Sequence, residues 1–170
     1  MTVRRFPAPV KFRVRRYDEN DFETLYAIDQ LCYAPEIAYS RAELRWYLAM
    51  RGAECWVAEN AGAERSSASI AGFIVATSRG AHGHILTIDV LEKFRRAGAG
   101  RLLLRRAEVE LQKRGAREIW LETATDNDGA IAFWKNRGYV TRGRLPHYYP
   151  TGVDAFAMSK ILAARAPASR

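Results

Sequence analysis

Cysteine is scarce: Cys32 and Cys55 are the only two in 170 residues, and they form no C-x-x-C pair. That excludes a disulfide framework and a thiol-based metal site, and both read as buried or idle thiols. No apolar run approaches the roughly 18 to 20 residues that cross a bilayer. The opening MTVRRFPAPVKFRVRR is basic and lacks the apolar stretch of roughly 7 to 15 residues found in a secretion signal. A cytoplasmic protein with no membrane partner is expected. His82, His84 and His147 show no metal-ligand spacing with carboxylates or thiols, so no metal is expected, and HGH reads as a strand segment facing solvent. Two common phosphate grips are also missing. There is no G-x-x-x-x-G-K-[ST], and GAGRLL puts Leu103 where a third glycine of G-x-G-x-x-G would stand.

What the chain does hold is 48% hydrophobic and 27% charged residues, the composition of a soluble globular protein of one domain. Its net charge of +8 comes mostly from arginine. Such an excess attracts polyanions, whether nucleic acid, a ribosome surface or a phosphorylated cofactor, or else it decorates solvated faces. No RNA-binding signature accompanies it, so a basic RNA- or ribosome-binding module ranks last among the functional readings.

Residues 1–11, with Pro7 and Pro9, read as a loose arm and 163–170 as a tail. Between them, alternation in VKFRVRRY (10–17) predicts a half-exposed strand. Asp21 is expected to cap a helix burying Phe22, Leu25, Ile28 and Cys32, which ends before Pro35. Ser40 and Glu43 form a capping box for a second helix with Leu44, Tyr47, Leu48 and Arg51 inward. Strands are expected at 55–60, 70–78 and 84–91, the first two joined by a polar turn. A helix over 100–114 stops at Gly115. A strand at 118–125, a helix capped by Asp126 or Asn127 and ended by Gly138, and strands near 139–145 and 153–162 complete the order. The fold class is α/β: one twisted, mixed, mostly antiparallel sheet with helices on both faces and 84–124 as a parallel strand–helix–strand unit.

EKFRRAGAGRLLLRR (92–106) joins a strand to a helix through glycine and arginine. Unpaired amides at a helix start, glycines that let the backbone approach, and forked arginine donors suit a pyrophosphate. The pattern is R-x-x-G-x-G, followed by Arg101.

IDVLEKFRRAGAGRLLL (88–104) resembles the acetyl-CoA motif of the GNAT superfamily of N-acetyltransferases, and LETATDNDGAIAFWKNRGY (121–139) resembles its next motif. HYYPTGVDAFAM (147–158) is similar to a segment of the RimI-type ribosomal-protein alanine N-acetyltransferases and their archaeal N-terminal acetyltransferase relatives. IDQLCYAPEIAYS (28–40) resembles the loop that shapes their peptide groove. The resemblance covers roughly 12–162 and implies one GNAT-like domain there, with acetyl-CoA as cosubstrate. It implies that the amides of Arg95, Arg96, Ala97, Gly98, Ala99 and Gly100, with Arg101 following, cradle the pyrophosphate. Ile88 and Val90 would pair with the pantetheine arm, and the Val90 amide would face the acetyl oxygen.

Glu122 stands where RimI-type enzymes keep a general-base glutamate; alternatively it is an ion-paired strand residue. Trp134 replaces their catalytic tyrosine beside the cofactor, and indole donates no proton near neutral pH. The acid is then Tyr148 or Tyr149, or the thiolate leaves unaided; the two tyrosines can equally clasp the acceptor or cover a loop. Asn127 either touches CoA or caps its helix. Asp89 is an auxiliary base or points away. The resemblance implies transfer to a primary amine, first a protein N-terminal α-amine such as that of a ribosomal protein, alternatively a small amine or lysine, by a monomer or homodimer.

Overall fold

Basic residues alternating with Phe12 and Val14 form the edge strand β1 (Phe12–Arg16). The computed structural model describes residues 10–62 and 69–163. Most of the expected arm (1–11) and tail (163–170), and most of the polar turn after residue 60, lie outside the described residues. The remaining strands are β2 (Glu54–Asn60), β3 (Ile70–Arg79), β4 (His82–Val90), β5 (Glu118–Ala124), β6 (Val140–Leu145) and β7 (Ala155–Ile161). They form one sheet in the order β1-β2-β3-β4-β5-β7-β6, antiparallel except for the β4–β5 pair.

Helices cover both faces. α3 (Ala99–Lys113) and α4 (Asp128–Lys135) enclose a core with Ile74, Ile85, Ile119 and Leu121. α1 (Phe22–Cys32) and α2 (Arg41–Ala49) cover Val57, Phe73 and Val75 on the other face. Among the described residues no helix is long and apolar enough to cross a membrane.

Two local expectations need correction. Asp21 does not cap α1: a 3-10 turn (Glu19–Asp21) precedes it, capped by Asp18, and Asp21 closes that capping box while ion-pairing with Arg15. Arg51 lies beyond α2, which ends at Ala49 under the Ser40–Glu43 box, so it joins no inner stripe. Part of the arginine excess is structural. Arg13 and Arg15 hold buried Glu59, and Arg16 and Arg114 hold buried Glu54. A buried carboxylate needs such partners to stay charged.

A bulge decides which side chains reach the site. Val75 pairs with Thr87 and Ala76 with Ile85, so Leu86 is the extra residue and the side-chain alternation of β4 reverses there. His82 and His84 before it, and Thr87 and Asp89 after it, therefore share the face opposite α3. The β4–β5 pairing covers only His82–His84 against Glu118–Trp120, and beyond it the two parallel strands part.

Candidate active site

The gap between the diverging strands exposes an edge of β4. The Leu91 amide donates to Ala71 at 2.9 Å. Antiparallel alternation then turns the N–H and C=O of Ile88 and Val90 away from β3, toward the gap. The Val90 carbonyl accepts from Arg95 Nε at 3.0 Å and from the Cys32 thiol at 3.5 Å, leaving its amide facing the opening.

The turn into α3 is a smaller anion cradle than expected. A 3-10 turn (Glu92–Phe94) uses the Arg95 amide on Glu92 at 3.0 Å, and the Ala97 amide donates to Phe94 at 3.4 Å. Those two drop out of the expected ring because tight turning brings a carbonyl within their reach. Leu102, donating to Gly98, is the first α3 amide with a backbone acceptor, which leaves the amides of Gly98, Ala99, Gly100 and Arg101 without a backbone partner among the described residues, at the positive end of a helix. Gly98 has φ +102°, where a side chain is strained, and a Cβ on Gly100 would lie in van der Waals contact with the Phe133 ring at 3.4 Å. Arg96 and Arg101 are exposed beside this turn, whereas Arg95 folds back toward Cys32 and Asp89.

Glu122, half-buried on β5, meets His84 on β4, Oε2 to Nε2 at 2.7 Å. The β4–β5 register places both on one face, so His84 of the HGH segment, which the sequence assigns to solvent, lies at the candidate site. Burial, then the charge of Glu122, raises the Tyr148 hydroxyl pKa. Burial pushes Tyr149 up to about 12, so both phenols stay protonated. Tyr39 donates to the Leu86 carbonyl at 3.2 Å and lies 4.8 Å from the Tyr47 ring. Tyr39 and Tyr47 neighbour Tyr148, and Tyr148 and Tyr149 both neighbour Glu122. An open depression of about 390 Å³ runs from Glu122 along Thr77, Arg79, His82, Gly83, His84 and Trp120.

Other expected site residues fall elsewhere. Asp89 points away from the gap into the seam between α1 and β4, 1% exposed, where burial pushes its pKa to about 7. It accepts from Thr87 at 2.6 Å, and Thr87 in turn accepts from Tyr33 at 3.2 Å. Asp29, pushed to about 6 by burial, takes the Tyr39 amide at 2.9 Å and so fixes the loop before α2. Trp134 is a core side chain, 5% exposed between Phe133 and Tyr139, so the cofactor contact expected of it has no support. Asn127 caps α4 by accepting from the Ala130 amide at 3.0 Å. Burial raises both thiols, so neither is an activated nucleophile.

A family model described as the acetyltransferase (GNAT) family matches residues 22–139. The chain belongs to this family. An N-alpha-acetyltransferase of Sulfurisphaera tokodaii is 39% identical over 82 residues, 47% of this chain and 48% of that protein. The [ribosomal protein bS18]-alanine N-acetyltransferase of Escherichia coli is 37% identical over 67 residues, 39% of this chain and 45% of its own. The chain spans about half the length of the curated relatives it matches. The crystal structure of Ard1 from Thermoplasma volcanium superposes with a TM-score of 0.79 at 29% identity, covering 90% of this chain and 99% of that one. The GNAT architecture accounts for the paired features above: an open β4 edge and a glycine-bearing helix start at the same end of the sheet.

Proposed function

We propose that this protein transfers the acetyl group of acetyl-CoA to a protein N-terminal α-amine. The observation that carries the reading is the placement of Glu122, with its His84 partner, at the gap where β4 presents the Ile88 and Val90 amides. The family and its named relatives favour the same chemistry.

The turn at Gly98 to Arg101 fits a diphosphate through free amides and helix charge, aided by Arg96 and Arg101. Ile88 and Val90 would then hold the amide-bearing arm of the cosubstrate as an added strand. In the reaction the amine nitrogen bonds to the acetyl carbon, the carbon–sulfur bond breaks, and CoA leaves as thiolate. The Val90 amide would hydrogen-bond the carbonyl oxygen as it gains charge. Glu122 takes the proton lost by the amine, directly or through water, and His84 positions that carboxylate. Trp134 offers no proton, and a thiol pKa of about 8.5 lets the thiolate leave unprotonated. Tyr148, close to Glu122, serves the acceptor: with Tyr39 it frames the entry of a peptide backbone.

The test is incubation with acetyl-CoA and a panel of N-terminal peptides, one of them an alanine-initiated ribosomal sequence, reading free CoA thiol and peptide mass. Acetylation confined to the α-amine supports the proposal. No peptide product, together with strong acetylation of small amines or lysine side chains, replaces it with the small-amine reading.

A further inference from the structure

We infer that the depression beside Glu122 is a carboxylate subsite, so that the preferred acceptor peptide carries aspartate or glutamate at its second or third residue. This rests on the peptide acetyltransferase reading above and extends it to substrate choice.

The depression has the proposed base at one end and, at the other, an arginine with no ion pair among the described residues. Arg79 ends β3 and sits opposite His82 across the hairpin, while Thr77 sits opposite His84. These side chains share the sheet face of Glu122 because Ala76, Ile85 and Ile119, at the intervening parity, belong to the core under α3. Two carboxylates share the β5 part of this face, and both are engaged. Glu122 bonds His84 at 2.7 Å. Glu118 accepts from the Ser159 hydroxyl at 2.7 Å, with Arg142 and His82 acting on its charge. The Arg79 side chain has no ion pair or hydrogen bond among the described residues, in contrast to Arg13, Arg15, Arg16 and Arg114, each tied to a buried glutamate. A guanidinium with free forked donors at the end of a concave site is suited to a carboxylate.

The spacing selects the residue. From the register, Arg79 and Glu122 lie two strands and four residues apart, about 16 Å between Cα atoms. Their side chains, reaching toward each other, leave a gap of about 7 to 10 Å, which two to three extended residues at about 3.3 Å each span. An amine held at Glu122 therefore sets an acidic side chain from position two or three against Arg79. A lysine or arginine there meets repulsion instead, which gives selectivity against basic N-termini.

The experiment compares kcat/KM for peptides that share their first residue and differ only at positions two and three, carrying Glu, Gln or Lys, with the full chain and acetyl-CoA. The expected order is Glu above Gln above Lys, with about a fivefold Glu-to-Gln ratio at low salt that shrinks in about 0.5 M NaCl as charges are screened. Arg79→Gln should bring that ratio near one and Arg79→Glu should invert it toward Lys. Arg79 is exposed at a hairpin end, and a melting curve verifies that each variant is folded. Acetylation of all three peptides at equal rates, or a ratio unmoved by Arg79→Glu, overturns the subsite and leaves acetyl transfer standing. If every peptide stays unmodified, both proposals fall together.

Discussion

Replacing Glu122 by glutamine keeps the shape of the side chain and a hydrogen bond to His84 while removing the proposed proton acceptor. An α-amine has a pKa of about 7.8, so about one molecule in seven is neutral at pH 7.0 and about five in six at pH 8.5. Without a base the enzyme uses only the neutral fraction, and its rate should climb about sixfold across that interval and then level off. A positioned base contributes at least about 10²-fold. The expected deficit of Glu122→Gln is therefore about 100-fold at pH 7.0, falling to about 15- to 20-fold at pH 8.5. The assay is kcat/KM from CoA thiol release at saturating acetyl-CoA and low peptide. A lysine acceptor, with its pKa near 10.4, would instead gain about thirtyfold over the same interval without levelling. A deficit that stays constant between the two pH values, or one below about threefold, would refute the assignment of Glu122 as the proton acceptor.

Three further outcomes follow from the packing. Asp89 is raised to about 7 by burial, so the folded chain binds more protons than the unfolded one between about pH 4 and 7. Its contribution to stability accordingly falls as pH rises through that window and is constant above it. Urea unfolding should show wild type losing about 3 kcal/mol between pH 5 and 8 through this group, a loss that Asp89→Asn removes. Gly72→Ala should cost about 2–3 kcal/mol in the same assay, because the new Cβ would lie 2.2 Å from the Asp89 carbonyl oxygen and 2.9 Å from Val90 Cα, both backbone atoms. Tyr148→Phe should raise the peptide KM several-fold while changing kcat less than about twofold; a fall in kcat of about 100-fold would make Tyr148 the proton donor instead.

The placements that sequence reasoning missed have a common physical origin. Periodicity gives the face of a side chain only while a strand stays regular, and the bulge at Leu86 reverses β4 midway. Asp89 was therefore ambiguous beside Ile88, although the alternation from Leu91 back to Thr87 explains its burial once the β3 pairing is known. His84 looked like a solvent residue because its partner, Glu122, is 38 positions away and meets it only through the parallel register. The Arg95 and Ala97 amides were counted in the cradle because a glycine-rich stretch does not announce that a 3-10 turn will use them. Trp134 has the size and polarity of either a cofactor wall or a core residue, and only its packing against Phe133 and Tyr139 puts it among the buried core side chains.

By itself the sequence determined the element order, the Ser40–Glu43 box, the glycine-bearing turn into α3 and the placement of Glu122 on a strand, since capping, turn chemistry and alternation act between near neighbours. Only the tertiary structure decided where β4 and β5 separate, which amides remain free in the gap, and that Arg79 stands unpaired among the described residues at the far end of the depression from Glu122. Those are properties of strand register and of competition between distant partners, and short-range rules carry no information about either.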